Sequence, residues 1–267
     1  MNEATEHTRR TALGVIAGAG LMSTIGETTA QAQSNAKTFV LVHGAWHGGW
    51  CWRRVSDLLE KKGHKVFTPT MTGLGERSHL LDAKINLTTH ITDIVNVIKW
   101  ENLKDIVLVG HSYGGVIISG VAEQVPGSIA SIVFLDAFVP ETGDSLAAKS
   151  SQPVRDAIAA LPKGEAGMKP VPAAVFRVNE KDRAWVDAKL TPQPTKCFVT
   201  PVALTGARER IGRKAYIRST HFPYPVLDAW LAEVGENGWD THVVPSGHDL
   251  MIDAPTQLAE ILDRLVQ

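Results

Sequence analysis

Along the chain, unbroken apolar runs alternate with stretches whose apolar positions recur at helical spacing. Residues 38–44 (TFVLVHG) form an apolar run rich in β-branched residues that ends at glycine, the pattern of a strand buried on both faces of a parallel sheet. WCWRRVSDLLEKKGH follows with helical spacing and stops at Gly63, a helix-ending signal. A strand is predicted over 65–70 (KVFTPT), a helix over 89–101 (THITDIVNVIKWE) and a strand over 105–112 (DIVLVGHS). A helix over 114–126 and a strand over 128–140 (SIASIVFLDAFVP) come next. Such alternation implies right-handed βαβ units and a parallel sheet.

The pattern lapses from 141 to about 212, a mixed, proline-rich stretch with no clear strand, and resumes with a strand at 214–220 (KAYIRST). A helix around PVLDAWLAEV, a strand at 241–247 (THVVPSG) and a final helix, PTQLAEILDRLV, complete the chain. Long insertions of this kind are usually functional. The expected fold class is α/β: a mostly parallel, doubly wound sheet with a helical lid insertion at about 141–212.

The first residues follow another pattern. Thr8-Arg9-Arg10 precedes the short apolar segment TALGVIAGAGLM, and the stretch ends in Ala30-Gln31-Ala32. A charged start, an apolar middle and an A-x-A ending predict an export signal over 1–32, and the paired arginines point to the twin-arginine route. Cleavage near Ala32 leaves a domain of 33–267 that is periplasmic or secreted. The 267 residues are 44% hydrophobic and 21% charged with a formal net charge of −1, an ordinary globular balance. With no basic block and no apolar run of about 18 residues, neither a nucleic acid nor a membrane is an expected partner; a small molecule is. The two cysteines, Cys51 and Cys197, have no spacing that suggests pairing and read as free and structural.

Candidate chemistry sits at strand ends. Gly110-His111-Ser112-Tyr113-Gly114 lies between a predicted strand and a predicted helix. Such a sharp turn lifts its serine above the carboxyl ends of the strands, where open α/β sheets bind ligands. A plain tight turn also needs glycines, so the flanking strand and helix carry the weight. An anion formed at Ser112 needs two backbone donors: the Tyr113 amide and one from the loop HGAWHGGW, with Ala45 the candidate. His43 and His47 in that loop read as braces. Among ten histidines, His248 in VVPSGHDLM stands beyond the last strand, where a base belongs in the order Ser, Asp or Glu, His. The acid has two candidates. Residues 217–227 contain no Asp or Glu, and the first carboxylate after them is Asp228; Asp136 ends the strand after the nucleophile strand. Asp136 also suits bracing of the turn that follows it. Trp46, Val175, Phe176, Trp185 and Phe198 suggest a hydrophobic pocket, and each suits a plain core equally well.

HGAWHGGW, GHSYGG and SGHDLM together resemble the α/β-hydrolase superfamily, over essentially all of 38–267. Within it the chain is similar to bacterial esterase-type relatives of plant methyl esterases and hydroxynitrile lyases. The resemblance implies Ser112 as nucleophile, His248 as base and the Ala45 and Tyr113 amides as the oxyanion hole. Two departures stand out. Hydroxynitrile lyases of this kind carry threonine where Gly44 stands and lysine where Asp249 stands, so their absence favours hydrolysis. The acid expected after KAYIRST is missing; some superfamily members place it one strand earlier, as Asp136 would be. The expectation is a serine carboxylesterase that cleaves small hydrophobic esters (aromatic, alkyl or carbamate) through an acyl-enzyme, without metal or organic cofactor. A C–C bond hydrolase, a hydroxynitrile-lyase-like enzyme or a non-catalytic ligand-binding relative are the alternatives.

Overall fold

A computed structural model describes residues 36–267. The segment read as an export signal lies outside the described residues.

Among these residues, six parallel strands form one sheet. They are β1 (Thr38–Val42), β2 (Lys65–Phe67), β3 (Ile106–His111), β4 (Ile129–Leu135), β7 (Arg213–Ser219) and β8 (Asp240–Val244). Their order across the sheet is β2-β1-β3-β4-β7-β8. The strands alternate their apolar side chains between two cores. Phe39 and Leu41 of β1, with Val107 and Val109 of β3, face α1 (Arg53–Lys61), α9 (Leu250–Asp253) and α10 (Pro255–Arg264). Val40 and Val42, with Ile106 and Leu108, face α2 (Leu87–Trp100), α3 (Gly114–Gln124) and α8 (Pro225–Glu236). A strand buried on both sides has no polar face to show, which is why these segments read as continuous apolar runs.

Element ends differ from the sequence reading by a few residues, each for a local reason. α2 begins at Leu87 rather than Thr89 because Asn86 caps it: its Oδ1 accepts from the Thr89 amide at 3.2 Å, and the Asn86 amide donates to Thr89 Oγ1 at 3.4 Å. The first helix opens as a 3₁₀ turn, Gly49–Trp52, before α1.

The insertion runs from the end of β4 to β7. It holds α4 (Leu146–Lys149), α5 (Gln152–Ala159), α6 (Glu180–Asp187) and α7 (Lys196–Val199). It also holds a two-residue antiparallel ladder, β5 (Gly167–Met168) with β6 (Gln193–Pro194), where no strand was expected. A ladder of two residues built from Gly, Met, Gln and Pro carries no alternation to read. Cys197 lies in α7; it and Cys51 are buried free thiols.

The strand order places the site. From β1 the chain steps to β2 on one side, then crosses to β3 on the other. The loop after β1 and the loop after β3 therefore diverge at a topological switch point, the crevice where open α/β sheets bind ligands.

Candidate active site

Ser112 follows β3 directly and stands at φ 53°, a left-handed conformation that costs a non-glycine residue about 1–3 kcal/mol. The neighbouring structure holds it there. Its amide donates to Leu135 O at 3.1 Å, and its carbonyl accepts from Gly115 and Phe138 at 3.0 and 3.2 Å. The flanking glycines are required by contact: a Cβ on Gly110 would stand 2.6 Å from Gly114 O, and one on Gly114 would stand 2.8 Å from Val42 O. α3 starts immediately after, so its first amides face the same crevice.

His248 lies beyond β8 and is buried. Its Nδ1 meets Asp136 Oδ2 at 2.6 Å. Its backbone amide donates to Phe176 O of the insertion at 2.8 Å, and its ring packs against those of Phe222 and Phe176, 4.6 and 5.5 Å away. Ser112 and His248 line one cavity. No hydrogen bond joins them among the described residues, an open arrangement common before substrate binds.

Asp136 follows β4 at φ 46° and is fully buried. Besides His248, its carboxylate accepts from Ser219 Oγ (2.7 Å), Ser219 N (2.9 Å) and Arg218 Nη1 (2.8 Å). Burial alone pushes this carboxyl up. The His248 hydrogen bond and charge, the Arg218 guanidinium and the Ser219 amide outweigh it and hold Asp136 below the usual carboxylate range. Asp228, the other acid candidate, sits in the first turn of α8 with an exposed side chain. It is not beside His248; it accepts from Arg218 Nε at 2.8 Å. One buried arginine thus bridges both carboxylates, with the histidine on one side only. Arg218 and Ser219 carry no sequence signal, because their role depends on β4 and β7 lying side by side, Leu135 opposite Ile217.

The loop after β1 is fixed peptide by peptide. Met71 N donates to His43 Nε2 at 3.2 Å, so His43 carries its proton on Nδ1 and donates it to Gly44 O at 2.8 Å. Burial above all keeps this histidine neutral, its pKa lowered to about 3. His47 Nδ1 donates to Ala45 O at 2.8 Å. Trp46, at φ 64°, donates its amide to Gln193 Oε1 (3.0 Å) and accepts at its carbonyl from Thr191 N (3.0 Å). The Ala45 and Tyr113 amides, by contrast, have no acceptor among the described residues. His43 and His47 do brace this loop. Gln193 and Thr191, from the insertion, were not foreseen.

The cavity of about 370 Å³ is bounded by Ala45, Trp46, Ser112 and His248 at its base and by Phe138, Phe176, Phe198, Phe222 and Tyr224 around it. Val175 lines it too. Trp185 does not: its ring meets Trp50 edge-on at 5.1 Å and lies under the Arg54 guanidinium at 5.2 Å. Among the described residues, no group of three or more His, Cys, Asp or Glu side chains is arranged to hold a metal ion.

Residues 39–261 match the family described as "Alpha/beta hydrolase family". A carbendazim hydrolyzing esterase from a Nocardioides species is 44% identical over 238 residues, spanning 85% of this chain and 98% of that protein. Methylesterase 1 of Arabidopsis thaliana is 38% identical over 118 residues, 40% of this chain and 41% of that protein. Among solved structures, an extracellular alpha/beta-hydrolase from a Paenibacillus species superposes with a TM-score of 0.76 at 25% identity, over 86% of this chain and 98% of that one. That structure is described as sharing structural and functional homology with tobacco salicylic acid binding protein 2.

Proposed function

The chain belongs to the alpha/beta hydrolase family, and from that premise we propose that it is a serine carboxylesterase working through an acyl-enzyme. Ser112 Oγ attacks the ester carbonyl while His248 Nε2 takes its proton. The carbonyl oxygen, now negative, accepts from the Ala45 and Tyr113 amides, each donor contributing about 10²–10³ in rate. Asp136 holds the imidazole with its Nδ1–H toward itself and stabilises the imidazolium. His248 returns the proton to the leaving alcohol, and water then cleaves the acyl-enzyme by the same steps.

The observation that carries this reading is the 2.6 Å His248–Asp136 hydrogen bond, made while His248 shares one apolar cavity with a serine on a strained turn. The cavity's size and aromatic lining suit small hydrophobic esters, aromatic, alkyl or carbamate. A lyase of the hydroxynitrile kind fits less well. The hydroxyl-bearing side chain such enzymes carry at position 44 would set its Cβ 2.8 Å from His111 Nδ1 and 3.1 Å from Ser112 Cβ, so His111 would have to move.

Hydrolysis of p-nitrophenyl acetate by the purified protein tests the reading. Ser112→Ala is expected to lower kcat by on the order of 10⁶, as removal of such a nucleophile does. Full activity in that variant would overturn the proposal. A panel of aryl, alkyl and carbamate esters, carbendazim among them, then ranks substrates by kcat/KM, with cyanide release from mandelonitrile as the check for lyase activity.

A further inference from the structure

Beside the site lies a second buried histidine–carboxylate pair that the proposed mechanism does not use. His47 Nε2 meets Asp249 Oδ2 at 3.1 Å, and both side chains are buried, Asp249 completely. Asp249 is the neighbour of His248; His47 is two residues from Ala45. The pair therefore ties the loop after β8 to the loop after β1.

The hydrogen bonds fix how many protons the pair holds. The Ala45 carbonyl only accepts, so His47 Nδ1 must carry a proton. One further proton must lie between Nε2 and Asp249. A neutral histidine facing an ionised carboxylate would lose one of these bonds and leave a bare charge in the interior, which is costly. We propose, building on the serine-hydrolase reading, that His47 is a positioning residue held as an imidazolium by Asp249, and that removal of its proton slackens the Ala45 peptide and lowers activity.

The Ala45 carbonyl carbon is two bonds, through Cα, from the amide nitrogen offered to the developing anion, and the same peptide link ends in the Trp46 amide held by Gln193. A loop held at its carbonyls keeps the free Ala45 amide aimed. If the Nδ1–H···O bond lengthens, the donor drifts, and misplacement by about 1 Å costs on the order of 10² in rate.

The charged and titratable groups facing His47 agree with this. Asp249 is the anion. Its own carboxyl, pushed up by burial but pulled down further by His47, lies at about 2. His111, on β3, approaches edge-on at 6.2 Å; it is neutral, lowered to about 3 chiefly by burial. His43, in the same loop, is neutral for the same reason. His248 lies behind His111, at 4.6 Å ring to ring. The Cys51 thiol, raised by burial and by Asp249, carries no charge. Trp50 stacks on His47 at 5.4 Å, with Lys189 beyond it, 5.9 Å from the Trp50 ring. Burial works against the imidazolium, but the Asp249 charge and hydrogen bond and the Ala45 carbonyl outweigh it, so His47 holds its proton to higher pH than an ordinary histidine.

The test is the pH dependence of Ser112 labelling by a fluorophosphonate, which needs an activated serine and an oxyanion hole but no knowledge of the substrate. Wild type is expected to label fastest near neutrality and to fall at least tenfold along an alkaline limb. His47→Gln, which cannot titrate, should label at least tenfold more slowly at neutral pH and lack that limb. Asp249→Asn, whose amide can donate to Nε2 of a neutral His47 while Nδ1–H stays on Ala45 O, should also lack that limb. A limb that persists unchanged in His47→Gln overturns the proposal and leaves the hydrolase reading standing. Absence of labelling in wild type at every pH overturns both. The wild-type chain supplies a measurement independent of any variant's folding. Imidazole ¹⁵N shifts should show His47 with both nitrogens protonated at pH 7, and a neutral tautomer there would overturn the inference.

Discussion

Arg218 decides how the Asp136–His248 pair works at the level of single residues. It donates to Asp136 through Nη1 and to Asp228 through Nε, and its Nη2 reaches Phe222 O at 2.8 Å. The guanidinium and the Ser219 amide hold Asp136 Oδ1, leaving Oδ2 to His248 and Ser219 Oγ. Two carboxylates thus share one cation but not one role. Asp136→Asn should lower kcat on esters by about 10⁴ with little change in KM, because the amide favours the wrong imidazole tautomer. Asp228→Asn, at an exposed position, should change kcat by less than about threefold, in line with the modest contribution of exposed ion pairs. Steady-state kinetics on both variants checks the pair, and a larger loss for Asp228→Asn would refute this assignment of the acid. The sequence named both candidates. Choosing between them needed the register of β4 against β7, which sets Asp136 against Ser219 and the His248 loop.

Among the elements, the insertion is more than a covering. Its strand β6 supplies Gln193, whose Oε1 accepts from Trp46 N, and Thr191 nearby donates to Trp46 O. Both backbone groups of a residue held at φ 64° are therefore secured by the insertion. Earlier in the insertion, Phe176 O accepts from His248 N, and Arg54 pairs with Asp182 of α6 through both oxygens at 2.7 and 2.9 Å. The insertion grips the loop after β1 and the loop after β8 at once. Gln193→Ala should release the Trp46 peptide and reduce kcat by roughly 10–100-fold with KM changed far less, the signature of a misaligned oxyanion donor rather than of lost binding. Kinetics of this variant beside Lys189→Ala, a substitution on the outer side of the insertion, separates the effect from general loosening. Equal losses in both would count against it. Nothing in the local sequence singles out Gln193, since its partner lies 147 residues away.

For the whole molecule, buried titratable groups predict how stability follows pH. His43, His111 and His90 are held neutral, chiefly by burial, with pKa values of about 3, 3 and 4. The unfolded chain takes up protons on these residues below about pH 6.5 while the folded chain does not, so stability falls as pH drops from 6.5 toward 4. Asp253 acts in the opposite sense. Burial, with the Asp249 and Asp182 charges adding to it, raises its carboxyl to about 6, although Asn179 N donates to it at 3.0 Å. Its cost is complete above pH 6 and fades on acidification. His47, raised, adds stability that is lost as pH climbs through its folded value. The thermal midpoint should therefore be highest around neutrality and fall by several degrees or more by pH 4.5. Asp253→Asn should raise it near pH 7.5 by a few degrees, on the order of 1 kcal/mol, and leave it unchanged at pH 4. Melts across that range check this, and a flat profile would be inconsistent with neutral buried histidines.

The fold and the two ends of the site were legible along the chain because local physics writes them there. A strand buried on both faces must be apolar throughout. A serine on a strained turn must have glycines beside it. A histidine just beyond the last strand stands in a loop before the closing helix. Ser112, His248, Ala45 and Tyr113 are candidates named on such local requirements, and the order of strands and helices was read the same way. The pairing of Asp136 with His248, the arginine shared with Asp228, the hold of Gln193 on Trp46 and the buried His47–Asp249 pair do not. Each joins residues far apart in sequence whose side chains are ordinary in their own surroundings. Only the parallel register and the folding back of the insertion bring them within hydrogen-bond reach, and only burial then makes each bond matter.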